Sequence, residues 1–534
     1  MENKEYPYYS VAEPADLKEL VDFCSAEFAE KTAFHYMDNE IEVKKSFTQL
    51  KKDIEAYGTY LYSLGLRNSH IALIGDNCYE WIVAYFATVN GGNVVIPIDK
   101  QLPVEDIEKL LKKSDASAIL YTHAYSKVNG IEGVEHIALD SFSDATAKGK
   151  ALIEAGNSEF TDYKIDSKKM CAIVFTSGTT SEPKGVMLSQ HNLMRDAIIS
   201  SQNLLVPEGT VCILPLYHTF GFMAGVLCQM LKGYPVFLNN NLRRVIDDIK
   251  IARPRHVAVV PMLLKVFYKQ IWGNIRKSGK EKIFKTMIKV SNALLKVNID
   301  VRRKLFGKVI EAFGGRLEML ITGGSPIDEK LVQGFEEIGI KIVNGYGITE
   351  CSPIVATMRN EHFAPASVGA IQPGLEARVV DGEIQLKGET VFSGYYKDPE
   401  ATAAAFDGEW FKTGDLGEID KDGLLYITGR LKNLIILSNG KNVAPEELET
   451  KLLENVEEIN EVVVYAENDR IAAEIYPNEE GEKTKSIIKS KILELNRNMP
   501  SFKQIAITKF RNTEFPKTTT KKIKRDYSKN KNSK

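Results

Sequence analysis

Short apolar runs alternate with amphipathic stretches from about residue 45 onward. "HIALIGD" (70–76), "VVIPID" (94–99) and "SAILYT" (117–122) read as buried strands. Between them, "WIVAYFATVNGG" (81–92) and "VEDIEKLLKKSD" (104–115) carry helical spacing. Strand–helix alternation of this kind predicts a parallel α/β sheet. The same texture returns at "VCILPLYH" (211–218), "HVAVVPML" (256–263) and "RLEMLITGG" (316–324). Around residue 380 it changes. "VVDGEIQLKGETVFSGYY" (379–396) has turn signals at Asp381-Gly382 and Lys387-Gly388, which predict β-hairpins. After "GDLGEIDKDGLLYITGR" (414–430) a further unit opens, with "APEELETKLLENV" as a helix and "INEVVVYAEN" as a strand. The predicted organisation is a large α/β domain over 1–429 and a smaller α+β domain over 430–534.

Charge alters this picture at one place. Residues 265–308 hold thirteen Lys or Arg but only Glu281 and Asp300 as acids. Within them Ile283, Phe284, Met287, Ile288, Leu294 and Leu295 fall at helical spacing. The segment reads first as a solvated basic face over a core stripe. Its alternative reading is a peripheral membrane contact, docking on anionic lipid.

Composition narrows the class. With 534 residues the chain is long enough for two to four domains, and 44% hydrophobic with 26% charged residues is ordinary for a globular protein. A net charge of −2 gives no global attraction to nucleic acid or membrane. The cysteines (24, 78, 171, 212, 228 and 351) form no CxxC pair, which predicts a reducing, cytoplasmic compartment. "MENKEYPYYS" has no apolar signal core, no run is long enough to span a membrane, and the histidines lack zinc-ligand spacing.

The chemistry concentrates in a few stretches. "FTSGTTSEPKG" (175–185) combines small hydroxyl residues, glycine and lysine, a composition whose backbone N–H groups can converge on an anion. It is not a Walker loop, since Lys184 is followed by Gly185 and then by "VMLS", which reads as a strand rather than a helix. Four more follow: "ITGGSP" (321–326), "NGYGITECSP" (344–353), "WFKTGDLGEID" (410–420) with "GRLKNLIILSNGKNVAPEELE" (429–449), and "FPKTTTKKIKR" (515–525). Together, in this order, they resemble the acyl-adenylate-forming superfamily, most of all its bacterial medium- and long-chain fatty acid:CoA ligases. The resemblance implies layered sheets and a distorted β-barrel in the large domain, and a small mobile lid domain. It also implies two steps: a carboxylate attacks the α-phosphate of Mg-ATP, and a thiol then displaces AMP.

Roles follow by matching motifs. Thr176, Ser177, Gly178, Thr179, Thr180 and Lys184 would grip the β- and γ-phosphates. Tyr346 would stack on adenine, with Gly323, Gly324, Ser325, Asn344, Gly345 and Gly347 around the nucleotide. Thr349 would bond the α-phosphate, and Glu350 with Thr176 would hold Mg²⁺, a hard cation that takes oxygen ligands. Asp415 would accept both ribose hydroxyls and Arg430 would serve the ribose and phosphate side. Lys432 stands at the hinge position, which implies a large rotation of the small domain between the two steps. Lys522 would bridge the carboxylate and α-phosphate oxygens. Here the sequence departs from its relatives, because Lys521 replaces the usual glycine.

"PLYHTFGFMAGVLCQM" (215–230) matches the acyl-pocket segment, with His218 near the carboxylate and thiol route and Phe222 at a gate position. No acid lies between 209 and 245, which disfavours an amino-acid substrate and suits an alkyl chain. The expected reaction is fatty-acid activation followed by transfer to coenzyme A. Its alternative is loading of an acyl carrier protein, for which no carrier domain follows the lysine motif. Neither the chain length of the acid nor the oligomeric state is legible.

Overall fold

The computed structural model describes residues 8–176, 182–324, 327–360, 364–438, 440–517 and 523–525. They fall into two compact units that interleave in sequence. The first comprises 1–327, 331–376 and 387–404, and the second 328–330, 377–386 and 405–534.

Two mixed sheets organise the first unit. A six-stranded sheet runs, in spatial order, Glu135–Ala138, Ala118–Tyr121, His70–Ile74, Val94–Pro97, Met170–Thr176 and Lys184–Ser189. Every neighbouring pair is parallel except the last, Met170–Thr176 with Lys184–Ser189, which is antiparallel. Its central strands are short and largely apolar because helices such as Tyr79–Asn90 cover them; Ile71 to Ile74 and Ile119 to Leu120 are fully buried. A nine-stranded sheet is parallel through its centre, from Val236–Leu238 to Lys341–Gly347, with antiparallel strands at its edges. Val211, Phe237, Val257, Phe267, Leu320 and Ile342 form the core beneath it. Burial of such side chains contributes about 1.5–3 kcal/mol each.

Two of the expected strands are shorter than the apolar runs that predicted them. The 211–218 run is a strand only over Thr210–Cys212, and Pro215 lies in the turn that follows. The 256–263 run stops at Val259, and Pro261 opens helix Pro261–Lys277, where its missing N–H costs nothing.

The second unit begins with a five-stranded antiparallel sheet built from Glu376–Val380, Glu383–Lys387, Phe406–Asp407, Trp410–Ile419 and Leu425–Arg430. Its first hairpin turns on Asp381 and Gly382, both left-handed at φ 51° and 84°, as the Asp-Gly pair predicts. A three-stranded sheet follows, Ile459–Glu467, Arg470–Pro477 and Ile505–Phe510. Helices Pro445–Asn455 and Glu482–Arg497 pack on it through Leu448, Leu452, Ile488 and Ile492. No described helix is long and apolar enough to cross a membrane.

Candidate active site

Thr176 and Lys184 end and begin the antiparallel strands of the six-stranded sheet and stand opposite each other in register. The phosphate-loop candidate is thus the connection of a β-hairpin, and the chain leaves it as a strand. Ser177, Gly178, Thr179 and Thr180 lie outside the described residues, as do Ser325, Lys521 and Lys522. The Lys184 ammonium sits 4.7 Å from the centroid of the Tyr395 ring, a cation–π contact.

The same tyrosine reaches the candidate metal carboxylate. Tyr395 Oη donates to Glu350 Oε1 at 3.0 Å, and Phe392 N–H donates to the Glu350 carbonyl at 2.8 Å. Burial, helped by the carboxylate beside it, holds the Tyr395 hydroxyl far above the usual phenol range. A shift in this direction favours the protonated hydroxyl, the form that donates to Glu350. Sequence matching had missed Tyr395, although its place in "VFSGYYKDPE" beside the loop's own strand was the available signal. Val186 and Tyr395 form a β-bridge.

Thr349 and Glu350 lie on a single 3₁₀ turn, Thr349–Cys351, at the end of strand Lys341–Gly347. The turn is tied down on both sides. Ser352, fully buried, donates through Oγ to the Thr390 carbonyl at 2.8 Å, and Ile354 N–H donates to Asp196 Oδ2 at 3.1 Å. Gly347 is required here, since a Cβ would come within 2.2 Å of the Pro353 carbonyl. Asp196 is a second functional candidate that the sequence hid. It has no exposure, and burial pushes its carboxyl well above the usual carboxylate range.

That shift has a sign. A carboxyl with a raised folded pKa favours folding fully below its unfolded pKa, near 3.9, and loses that advantage as pH rises toward the folded value. Asp196→Asn keeps an acceptor for Ile354 and removes the titration. Its melting temperature is expected to gain steadily on the wild type between pH 4 and pH 8; parallel curves would show that Asp196 does not titrate in this way.

Around the adenine candidates, Gly323 and Gly345 pair across neighbouring parallel strands, and a Cβ on Gly323 would meet the Gly345 carbonyl at 2.8 Å. The bare backbone there leaves a flat wall. Gly324 ends that strand at φ 84°. Tyr346 is half-buried in the same strand as Asn344. Asn344 donates through Nδ2 to the Ser367 carbonyl at 3.2 Å, while its buried Oδ1 has no protein donor. A buried acceptor left open fits the exocyclic amine of adenine.

His218 stands at the start of helix Thr219–Phe222, half-buried, its ring 5.1 Å from that of Tyr217. Phe222 is closed into an aromatic cluster, 4.1 Å from Tyr85, 5.9 Å from Phe86 and 6.1 Å from Trp81 between centroids. Tyr85, Val174, Leu216, Tyr217, Phe222 and Met223 line a small enclosed space there.

In the second unit Asp415 and Arg430 face each other across neighbouring strands, with Arg430 Nε 2.8 Å from Asp415 Oδ1. The Asp415 side chain is 3% exposed and that of Arg430 43%. The strand at 413–415 is braced by Thr413, whose hydroxyl donates to the Ile384 carbonyl at 2.7 Å. Lys432 is exposed in the short turn Leu431–Asn433, whereas its neighbour Asn433 is buried and donates to Glu446.

Among the described residues no cluster of three or more His, Cys, Asp or Glu forms a ready-made metal cage. One carboxylate and one hydroxyl, as the candidates Glu350 and Thr176 would supply, fit magnesium that arrives with nucleotide phosphates and keeps part of its water.

The chain matches the model of the AMP-binding enzyme family over residues 22–396 and that of the AMP-binding enzyme C-terminal domain over 432–532. It is 30% identical over 439 residues to the long-chain-fatty-acid–CoA ligase FadD15 of Mycobacterium bovis, spanning 75% of this chain and 71% of that protein. It is 26% identical over 539 residues to the long-chain-fatty-acid–[acyl-carrier-protein] ligase AEE15 of Arabidopsis thaliana, spanning 82% and 73%. The fold superposes on the anthranilate CoA ligase AuaEII in complex with anthranoyl-AMP, with a TM-score of 0.77 at 20% identity over 98% of this chain and 97% of that one.

Proposed function

We infer the reaction from one premise: this chain belongs to the AMP-binding enzyme family. It is an acid–thiol ligase of that family. We read its acid as a medium- or long-chain fatty acid and its thiol as coenzyme A. The observation that carries the acid is the 215–230 segment, free of acidic residues and packed through Phe222 against Tyr85, Trp81 and Phe86. The relation to FadD15 supports the same reading.

In the first step a fatty carboxylate oxygen attacks the α-phosphorus of ATP and the bond to the β-phosphate oxygen breaks, releasing pyrophosphate. Thr176 and Lys184, with the loop between them, take the leaving phosphates. Tyr346 and the Gly323–Gly345 wall hold the base, with Asn344 Oδ1 accepting from its amine. Asp415 takes the ribose hydroxyls. Lys522 and Thr349 stabilise the charge that builds on the α-phosphate oxygens. Glu350 and Thr176 would hold magnesium, which neutralises phosphate charge when bound. In the second step the thiol sulfur attacks the acyl carbonyl carbon, its proton leaves, and AMP departs. His218 lines that route. We place the functional boundary between 429 and 430, so that Arg430 and Lys432 open the mobile domain.

The test is a competition among carboxylates from acetate to long-chain fatty acids, with benzoate included, given Mg-ATP and CoA and read by mass spectrometry. A medium- or long-chain acyl-CoA as the winning product is the expected result. Accumulation of acyl-adenylate alone would move the acceptor to a carrier protein, the reading that the relation to AEE15 favours. Benzoyl-CoA as the main product would overturn the fatty-acid reading.

Phe222 supplies a sharper check. Phe222→Ala removes the ring that closes the cluster, and each methylene newly accommodated is worth about 0.8 kcal/mol, or roughly fourfold. The ratio of kcat/KM for longer over shorter acids is expected to rise by about that factor per added carbon. An unchanged profile removes Phe222 from the pocket.

A further inference from the structure

We propose that the helical segment 261–308 is a docking surface for an anionic lipid bilayer. This surface would serve whatever the identity of the acid. Helices Pro261–Lys277 and Glu281–Leu295 pack inward through Leu264, Phe267, Ile271 and Phe284, which are all buried. The outer side of the second helix is not polar, as a merely solvated face would be. Ile283 is 61% exposed and Val290 49%, and Val297, just beyond the helix, is 64% exposed. These positions recur every seven residues, two helical turns, so Ile283 and Val290 share one row. Lys282, Lys289 and Lys296 recur at the same interval one residue earlier, setting a cationic row beside the apolar one. Along the apolar row lies an open groove of about 330 Å³, lined by Ile283, Thr286, Met287, Val290 and Leu305 together with Lys282.

Charge identifies the occupant. The segment carries thirteen cations against two acids in a chain whose net charge is −2, so the basicity is local. Both acids are already engaged, Glu281 by Lys285 at 2.7 Å and Asp300 by Arg302 at 2.7 Å. Among the described residues, Lys282, Lys289, Lys296, Lys304 and Lys308 have no acidic partner, and all are exposed. Ten of the thirteen cations are lysine. The exposed large apolar residues of the segment are aliphatic or methionine, with no aromatic ring among them. Protein–protein interfaces enrich aromatic residues and arginine and deplete lysine. A helix lying in a membrane interface needs the arrangement seen here: an apolar row to enter the headgroup boundary, and long lysines flanking it that reach the lipid phosphates.

The experiment uses the full chain and vesicles of phosphatidylcholine, with or without a third of phosphatidylglycerol. Binding is expected to the anionic vesicles only and to fall steeply as salt is raised. Lys282→Glu, Lys289→Glu and Lys296→Glu combined should lower the vesicle partition at least about a hundredfold, from roughly fivefold per lysine removed from an anionic surface. Ile283→Ser with Val290→Ser should lower it by about tenfold while leaving the melting temperature and the acid-dependent exchange of pyrophosphate into ATP unchanged. Absence of binding at low salt, or equal binding by the charge-reversed variant, overturns the proposal. So does a dimer that the serine variant converts to monomer without any vesicle binding, because the face would then belong to a second copy. Capture of an acidic carrier protein on this face in place of the vesicles overturns it as well.

Discussion

Lys522→Ala is expected to cut acid-dependent ATP–pyrophosphate exchange by about 10²–10³-fold, the cost of removing one donor aimed at developing transition-state charge. Thioester formation from supplied acyl-adenylate should be nearly untouched, since that step has no attack at phosphorus. The lysine itself lies outside the described residues, but both flanks of its segment are anchored in the second unit. Lys517 and Ile523 form a β-bridge, and Lys524 N–H donates to the Pro516 carbonyl at 2.7 Å. Lys517 pairs with Glu461 at 2.5 Å, and Arg525 pairs with the buried Glu449. Glu449 in turn accepts from Val464 N–H at 2.7 Å. Truncating a side chain between fixed ends should remove a charge without releasing the segment. Equal loss of both half-reactions would sink the assignment.

Glu350→Gln should lower the same exchange by about a hundredfold, on the scale of losing one fixed charge at a transferring phosphate. It has a signature that Lys522→Ala lacks. The Gln side chain still accepts from Tyr395, so the turn keeps its shape while one negative charge is lost. The magnesium concentration for half-maximal exchange should rise, and excess magnesium should restore part of the rate. Tyr395→Phe should give a milder version, since the carboxylate stays and loses only this one donor. An unaltered magnesium dependence in Glu350→Gln would take the metal away from this carboxylate.

The strands at 70–74, 94–97 and 118–121, the helices between them and the Asp381-Gly382 hairpin were legible because each is written locally, in periodicity or in turn chemistry. The cuts at Cys212 and Val259 were not, since apolar composition continues past both and only the prolines at 215 and 261 mark the change. The core stripe at 283–295 was half right. Phe284 is buried and Met287 and Ile288 pack on the core, but Ile283 and Leu295 point outward. Residue spacing tells which side chains share a face; it does not tell how wide a face the neighbouring elements cover. Asp196 and Tyr395 escaped for a related reason. Asp196 acts on a residue 158 positions away and Tyr395 on one 45 away, and neither contact leaves a mark in the residues beside it.

The hairpin that carries the phosphate-loop candidate has one more consequence. A loop that opens a helix lends its anion about half a unit of positive charge from the aligned peptide dipoles, worth typically 0.3–1 kcal/mol and up to about 2 kcal/mol when partly buried. The strand from Lys184 to Ser189 carries no such macrodipole, and the next helix begins only at Gln190. On the proposed role of this loop, Lys184 would face the outgoing diphosphate without that help, its ammonium partly engaged by an aromatic ring. A grip weaker by that amount would shorten the residence time of the first product. In a ligase that must clear pyrophosphate before a thiol can approach the acyl group, such a grip favours turnover over retention.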